Sequence, residues 1–218
     1  MSGTSTAHAV IAVVGGSGGV GASTFASVLA AQAGGATVVD LDPVGGGIDV
    51  LLAMEDRAGA RWSGLRVDGG YLDPALLADG LPTWRDVRVL AADVAPPSAA
   101  AVTQVIEAAA QLGPVVLDLP RAPSPERAAA LALATLCVVV AVAEIRPLVA
   151  AAAVLHTLHG VPAGVVLRRG GMASAEALAL LGVPLLGVLP RIDGSAPARA
   201  PRAATRIAEA LLEGVQAA

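Results

Sequence analysis

The feature that most constrains this chain is Gly15-Gly16-Ser17-Gly18-Gly19-Val20-Gly21-Ala22-Ser23-Thr24, set between an aliphatic run and an alanine-rich stretch. Five glycines in the seven positions 15–21 cost stability unless the backbone must approach something closely. A strand predicted at 9–14 (AVIAVV) precedes them and a helix predicted at 23–33 follows, giving the order strand, glycine-rich turn, hydroxyl residue, helix. That order turns successive amides and a helix N-terminus toward one spot and makes a cradle for phosphate. Gly18, Gly19, Val20, Gly21 and Ala22 supply the amides. Ser23 is placed to ligate Mg²⁺, and Thr24 to reach a more distal phosphate. The bland alternative, a plain strand-to-helix turn, leaves the glycines without a use.

Beyond the loop, short aliphatic runs alternate with alanine-rich helical stretches, which is the mark of βα units. Strands are predicted at 9–14, 36–40, 87–91, 114–118, 137–142, 163–167 and 184–188. Helices are predicted at 23–33, 47–53, 73–79, 98–111, 124–135, 147–158, 173–181 and 203–215. Several have recognisable starts: Asp73-Pro74, Ser98, Ser124-Pro125-Glu126, and Ser174 with Glu176. The expected fold is α/β, a three-layer, doubly wound, mostly parallel sheet in one domain over 1–218, with 1–8 as a disordered tail and 55–72 as an irregular excursion. The apolar run Ala128 to Ala143 is too short to span a bilayer and changes character midway, from Ala/Leu to β-branched, so it reads as a helix followed by a buried strand.

Composition closes other routes. With 55% hydrophobic and 15% charged residues the chain can bury enough apolar surface to fold. One Phe, one Tyr and two Trp leave no aromatic stacking platform. No cationic segment precedes an apolar one at the N-terminus, so no signal peptide is expected and the chain should stay in the cytoplasm. Cys137, alone in a predicted strand, reads as a small buried hydrophobe. Every basic residue is an arginine, and net charge is −4, so strong attraction to nucleic acid or anionic membrane is not expected. His156 and His159 share a predicted helix face, but no further ligands accompany them and a zinc site is not expected.

The loop departs from the usual G-x-x-x-x-G-K-[ST] pattern, because Ala22 stands where that pattern has lysine. Losing one charge-assisted contact to phosphate removes about 1.5–3 kcal/mol, roughly 10- to 150-fold in affinity. Amides plus Mg²⁺ are then left to hold a nucleotide. Turnover suffers more, since each donor aimed at transition-state charge is worth about 10²–10³ in rate. Arg121 or Arg61 could restore part of the charge. Carboxylates stand at two strand ends, in Val39-Asp40-Leu41-Asp42-Pro43 and Leu117-Asp118-Leu119-Pro120, the edge where open parallel sheets bind ligands.

Together GGVGAST, DLDPVGGGIDVLL, Arg61-Trp62-Ser63-Gly64-Leu65 and LDLPRAP resemble the MinD/ParA superfamily of deviant P-loop proteins. Within it they are most similar to the CpaE/TadZ branch and the actinobacterial CpaE-like, septum site-determining (Ssd) group, over residues 9 to about 190. In that group alanine is usual at the position of Ala22, and Ser17 stands where the deviant loop carries a second lysine. The resemblance implies that Asp40 and Asp118 organise Mg²⁺ through water and that Asp42 orients an attacking water if any turnover remains. It also implies an adenine site near Arg168, where Leu167-Arg168-Arg169 replaces the family's Asn-Arg. The implied ligand is ATP or ADP with Mg²⁺. The implied role is positioning of a Tad-type pilus or secretion machine at a pole, or septum placement, as a homodimer with a secretion ATPase or division protein as partner. Many relatives carry an N-terminal receiver-like domain, and none is expected in the short stretch before the first strand of this sequence. A weak ATPase with a full nucleotide cycle and a nucleotide-free interaction module are the rival readings. The helix at 203–215 carries both charge signs and is expected to pack on the sheet, and Arg191, Arg199, Arg202 and Arg206 form a modest basic cluster.

Overall fold

Because both faces of the sheet are covered by helices, its strands can be aliphatic throughout, and the computed structural model bears this out over the residues it describes, 8–67, 71–93, 98–158, 160–190 and 202–216. The strands are β1 (Val10–Gly15), β2 (Thr37–Asp40), β3 (Thr83–Trp84), β4 (Val87–Leu90), β5 (Val115–Leu119), β6 (Leu136–Val142), β7 (Ala163–Arg168) and β8 (Leu185–Leu189). They form one sheet in the order β3-β4-β2-β5-β1-β6-β7-β8. Every pairing is parallel except β3 with β4. The helices are α1 (Ala22–Ala33), α2 (Ile48–Leu51), α3 (Pro74–Gly80), α4 (Ala99–Leu112), α5 (Pro125–Leu133), α6 (Ile145–Leu155), α7 (Ser174–Leu181) and α8 (Arg202–Gln216). The predicted doubly wound α/β architecture is present, and the predicted strands all form; the added β3 is a two-residue hairpin arm.

Alternation along the strands builds two cores. Val10, Ala12 and Val14 of β1 face a layer with α3 to α7, represented by Leu77, Val105, Ala130, Leu148 and Ala177. Ile11 and Val13 face the other layer, where Phe25 and Leu29 of α1 meet Ala204, Ala208, Leu211 and Leu212 of α8. The apolar stripe of α8 is therefore covered by protein, and no described helix is long and apolar enough to cross a membrane. The apolar run at 128–143 divides as expected, between the end of α5 at Leu133 and the start of β6 at Leu136. Cys137 is fully buried there, and burial pushes its thiol up to about 12.

Three predicted helix starts carry side-chain caps. Asp73 accepts from the amide of Ala75 at 2.8 Å, Ser98 from Ala101 at 3.2 Å and Ser124 from Arg127 at 3.1 Å. The fourth is corrected: Ala173 is the N-cap of α7 and Ser174 its first residue, with no side-chain cap. Residues 1–7 of the expected tail lie outside the described residues, whereas His8 donates its amide to Ala110 O at 3.1 Å and is tied to α4. His159, Arg191 and Arg199 also lie outside them, and His156 Nδ1 sits 2.7 Å from Ala152 O.

Candidate functional site

At the carboxyl ends of β1, β2, β5 and β7 lies a cleft of about 520 Å³. Its floor is the glycine-rich loop. Gly16 donates its amide to Val140 O at 2.8 Å, and a Cβ there would stand 2.5 Å from Ala151 Cβ, so this glycine serves packing against α6. Gly21, with φ at 87°, lets the chain turn into α1. No side chain caps the first turn of α1, and no acidic residue occupies it. Its free N–H groups and partial positive charge therefore face the cleft that Gly18, Gly19, Val20, Ala22, Ser23 and Thr24 line.

The carboxylates come from the strand ends. Parallel pairing puts Asp40 of β2 beside Asp118 of β5 in register. Both are buried, at 2% and 4% exposure. Burial and the charge of Asp40 push Asp118 up to about 8, although a hydrogen bond from Ser23 opposes the shift. Burial pushes Asp40 up to about 6, against three backbone amides that favour its ionised form. Those amides belong to Asp42 at 2.9 Å, Ile48 at 3.0 Å and Ala92 at 3.4 Å. Asp40 thus pins the following loop as well as facing the cleft. Two adjacent buried carboxylates and a serine hydroxyl, with no cation paired to them among the described residues, form a hard oxygen donor set that fits Mg²⁺.

Asp42 lines the same cleft. Its Oδ1 accepts from Val44 N at 3.2 Å, and Gly45 N donates to its carbonyl at 3.1 Å, which folds the segment between β2 and α2 into a tight turn. Val44 at the tip is 91% exposed.

The excursion after α2 returns to this loop and braces it. Trp62, buried in a short 3-10 turn (Trp62–Gly64), donates its indole N–H to Asp40 O at 2.7 Å. Arg61 Nε pairs with Asp49 at 2.9 Å while its Nη atoms donate to the carbonyls of Gly59 and Met54. Arg61 is thereby corrected as a source of charge for the loop. The bracing role of Trp62 was missed, and only its place in the RWSGL resemblance singled it out.

Two arginines do line the cleft, Arg121 and Arg168. Arg168, at the end of β7, donates from Nη1 to Val20 O at 2.8 Å and to Gly19 O at 3.4 Å. It therefore holds the glycine-rich loop itself. The Arg169 side chain is exposed. Arg121 is exposed, with Nη2 3.9 Å from where a Cβ on Gly18 would lie.

Solved structures that this chain resembles include MinD and ParA proteins. The MinC:MinD cell division protein complex of Aquifex aeolicus matches with a TM-score of 0.75 at 18% identity, over 94% of this chain and 96% of that one. A ParA family ATPase of Chlorobium tepidum matches at 0.73 and 15% identity, over 94% and 98%. The septum site-determining protein MinD of Pyrococcus horikoshii, complexed with Mg-ADP, matches at 0.67 and 18% identity, over 95% and 96%. The fold is accordingly that of the MinD/ParA P-loop NTPases. By sequence, uncharacterized proteins from two strains of Mycobacterium tuberculosis are 39% identical over 219 residues, 94% of this chain. The chain spans 58% of the length of those relatives. No protein-family model matches.

Proposed function

We propose that this chain is a nucleotide-dependent positioning protein of the CpaE/TadZ and septum site-determining type, binding ATP or ADP with Mg²⁺ in the cleft and turning it over slowly or not at all. The observation that carries this reading is the uncapped N-terminus of α1 opening onto a cleft that also holds two buried carboxylates, Asp40 and Asp118, with no cation paired to them among the described residues. Amides favour phosphate oxygens, the carboxylates favour a divalent cation, and Mg-nucleotide satisfies both. In this reading the main-chain N–H groups of residues 18–24 and the hydroxyl of Thr24 grip the phosphates. Ser23 and Asp118 hold the magnesium, Asp40 through water, and Arg168 keeps the loop in shape beside the base. Bound magnesium would neutralise phosphate charge. With Ala22 in the lysine position, little stabilisation remains for the charge that develops on hydrolysis.

Binding would set the shape of the segment between β2 and α2, whose exposed Val44 is then available to a partner: a second copy, a pilus or secretion ATPase, or a division protein. The proposed setting is the cytoplasm, with recruitment to a pole or septum by that partner. Calorimetric titration with Mg-ATP, with phosphate release followed on the same sample, tests the reading. Association without turnover supports it. Turnover abolished by Asp42→Ala would make the protein a slow ATPase, and absence of association at millimolar Mg-ATP would leave an interaction module without nucleotide.

A further inference from the structure

We propose that Arg121 supplies the cation on the bound polyphosphate that the glycine-rich loop lacks, delivered from the β5–α5 connection. The inference rests on the nucleotide-binding reading above and adds to it the residue that offsets the missing lysine. Asp40, Asp42 and Asp118 line the cleft, and among the described residues the cationic side chains lining it are Arg121 and Arg168. Arg168 already spends Nη1 on the carbonyls of Val20 and Gly19, and Arg61 is paired with Asp49. Arg121 has no hydrogen-bond or ion-pair partner among the described residues, and its Nη2 overhangs the loop 3.9 Å from the site of a Gly18 Cβ. A guanidinium without a partner, above amides that face a cleft, is placed to meet an oxyanion with two parallel N–H groups.

The connection that carries it is stiff. Pro120, Pro123 and Pro125 fix φ at three positions around Arg121, and the Ser124 cap anchors the start of α5. Ordering on binding then falls mainly on one side chain, since its backbone is already restricted. Arg121 also follows Asp118 by three positions, so the metal-facing carboxylate and the phosphate-facing cation arrive on the same strand end.

Mg-ATP titrations of the wild type, Arg121→Ala, Arg121→Lys and Arg169→Ala test this. Arg121→Ala is expected to weaken binding roughly 10- to 150-fold. Arg121→Lys should recover part of that loss as a point charge, and Arg169→Ala, which removes an exposed charge nearby, should leave affinity unchanged. Ligand-free melting of Arg121→Ala should match the wild type, because the side chain makes no contact that the fold needs. Wild-type affinity in Arg121→Ala, or equal losses in Arg121→Ala and Arg169→Ala, overturns the assignment. A wild type that does not bind Mg-ATP fails the nucleotide reading itself, and the role of Arg121 falls with it.

Discussion

Asp118 shows how one residue can oppose the fold that contains it. Its neighbours Val13 and Asp40 belong to the adjacent strands, and burial among them raises its pKa from an ordinary 3.8 to about 8. A carboxyl whose folded pKa exceeds its unfolded one stabilises the fold fully below the unfolded value and loses that stabilisation as pH rises through the folded value. Here the window runs from about pH 4 to about pH 8. In metal-free buffer, melting temperature should therefore carry a component that declines across that window. Asp118→Asn removes the titration and should raise the melting temperature at pH 8 while gaining little near pH 4. Thermal melts at both pH values in EDTA check this; a variant no more stable at pH 8 than the wild type would mean that the carboxylate is already compensated without metal.

At the scale of elements, the glycine-rich loop and the acids at the strand ends were legible because local chemistry dictates them. A strand running into glycines and then into a hydroxyl-led helix has few other uses, and D-x-D-P after β-branched residues can only sit at a strand end. β3 was not legible. It is two residues long, and its hairpin turns through Arg85 at φ 56°, a left-handed position without the Asn-Gly or Asp-Gly signal that marks such turns. Nor was the brace legible, because Trp62 and Asp40 lie 22 positions apart and only the tertiary fold brings the indole onto that carbonyl. The brace makes its own prediction. Trp62→Phe keeps most of the packing and removes the N–H donor, so Asp40 O loses a hydrogen bond, which costs about 1–2 kcal/mol. Amide exchange should then accelerate between Asp42 and Ile48 while β5 and β6 keep their protection. Uniform acceleration across the sheet, or none in the loop, would show that the indole serves only the core.

Across the whole molecule, the cleft is assembled from four separate strand ends, β1, β2, β5 and β7, with α1 behind the loop. A ligand that bridges them couples elements far apart in the chain, so its binding should register in global unfolding as well as in local order. At a hundredfold excess over Kd, binding to the native state alone adds about 2.7 kcal/mol, which for a chain of 218 residues is roughly 5–10 °C. That shift should need the metal, because without a divalent cation the raised Asp118 carboxyl is mostly protonated and contributes no attraction, Asp40 keeps its negative charge in the cleft, and the polyphosphate charge is left to the amides alone. Nucleotide with EDTA is therefore expected to give less than half the shift of nucleotide with Mg²⁺, and Mg²⁺ alone a smaller shift than the two together. An equal shift with and without metal would place the phosphates clear of the β2 and β5 strand ends and confine recognition to the amides of the loop.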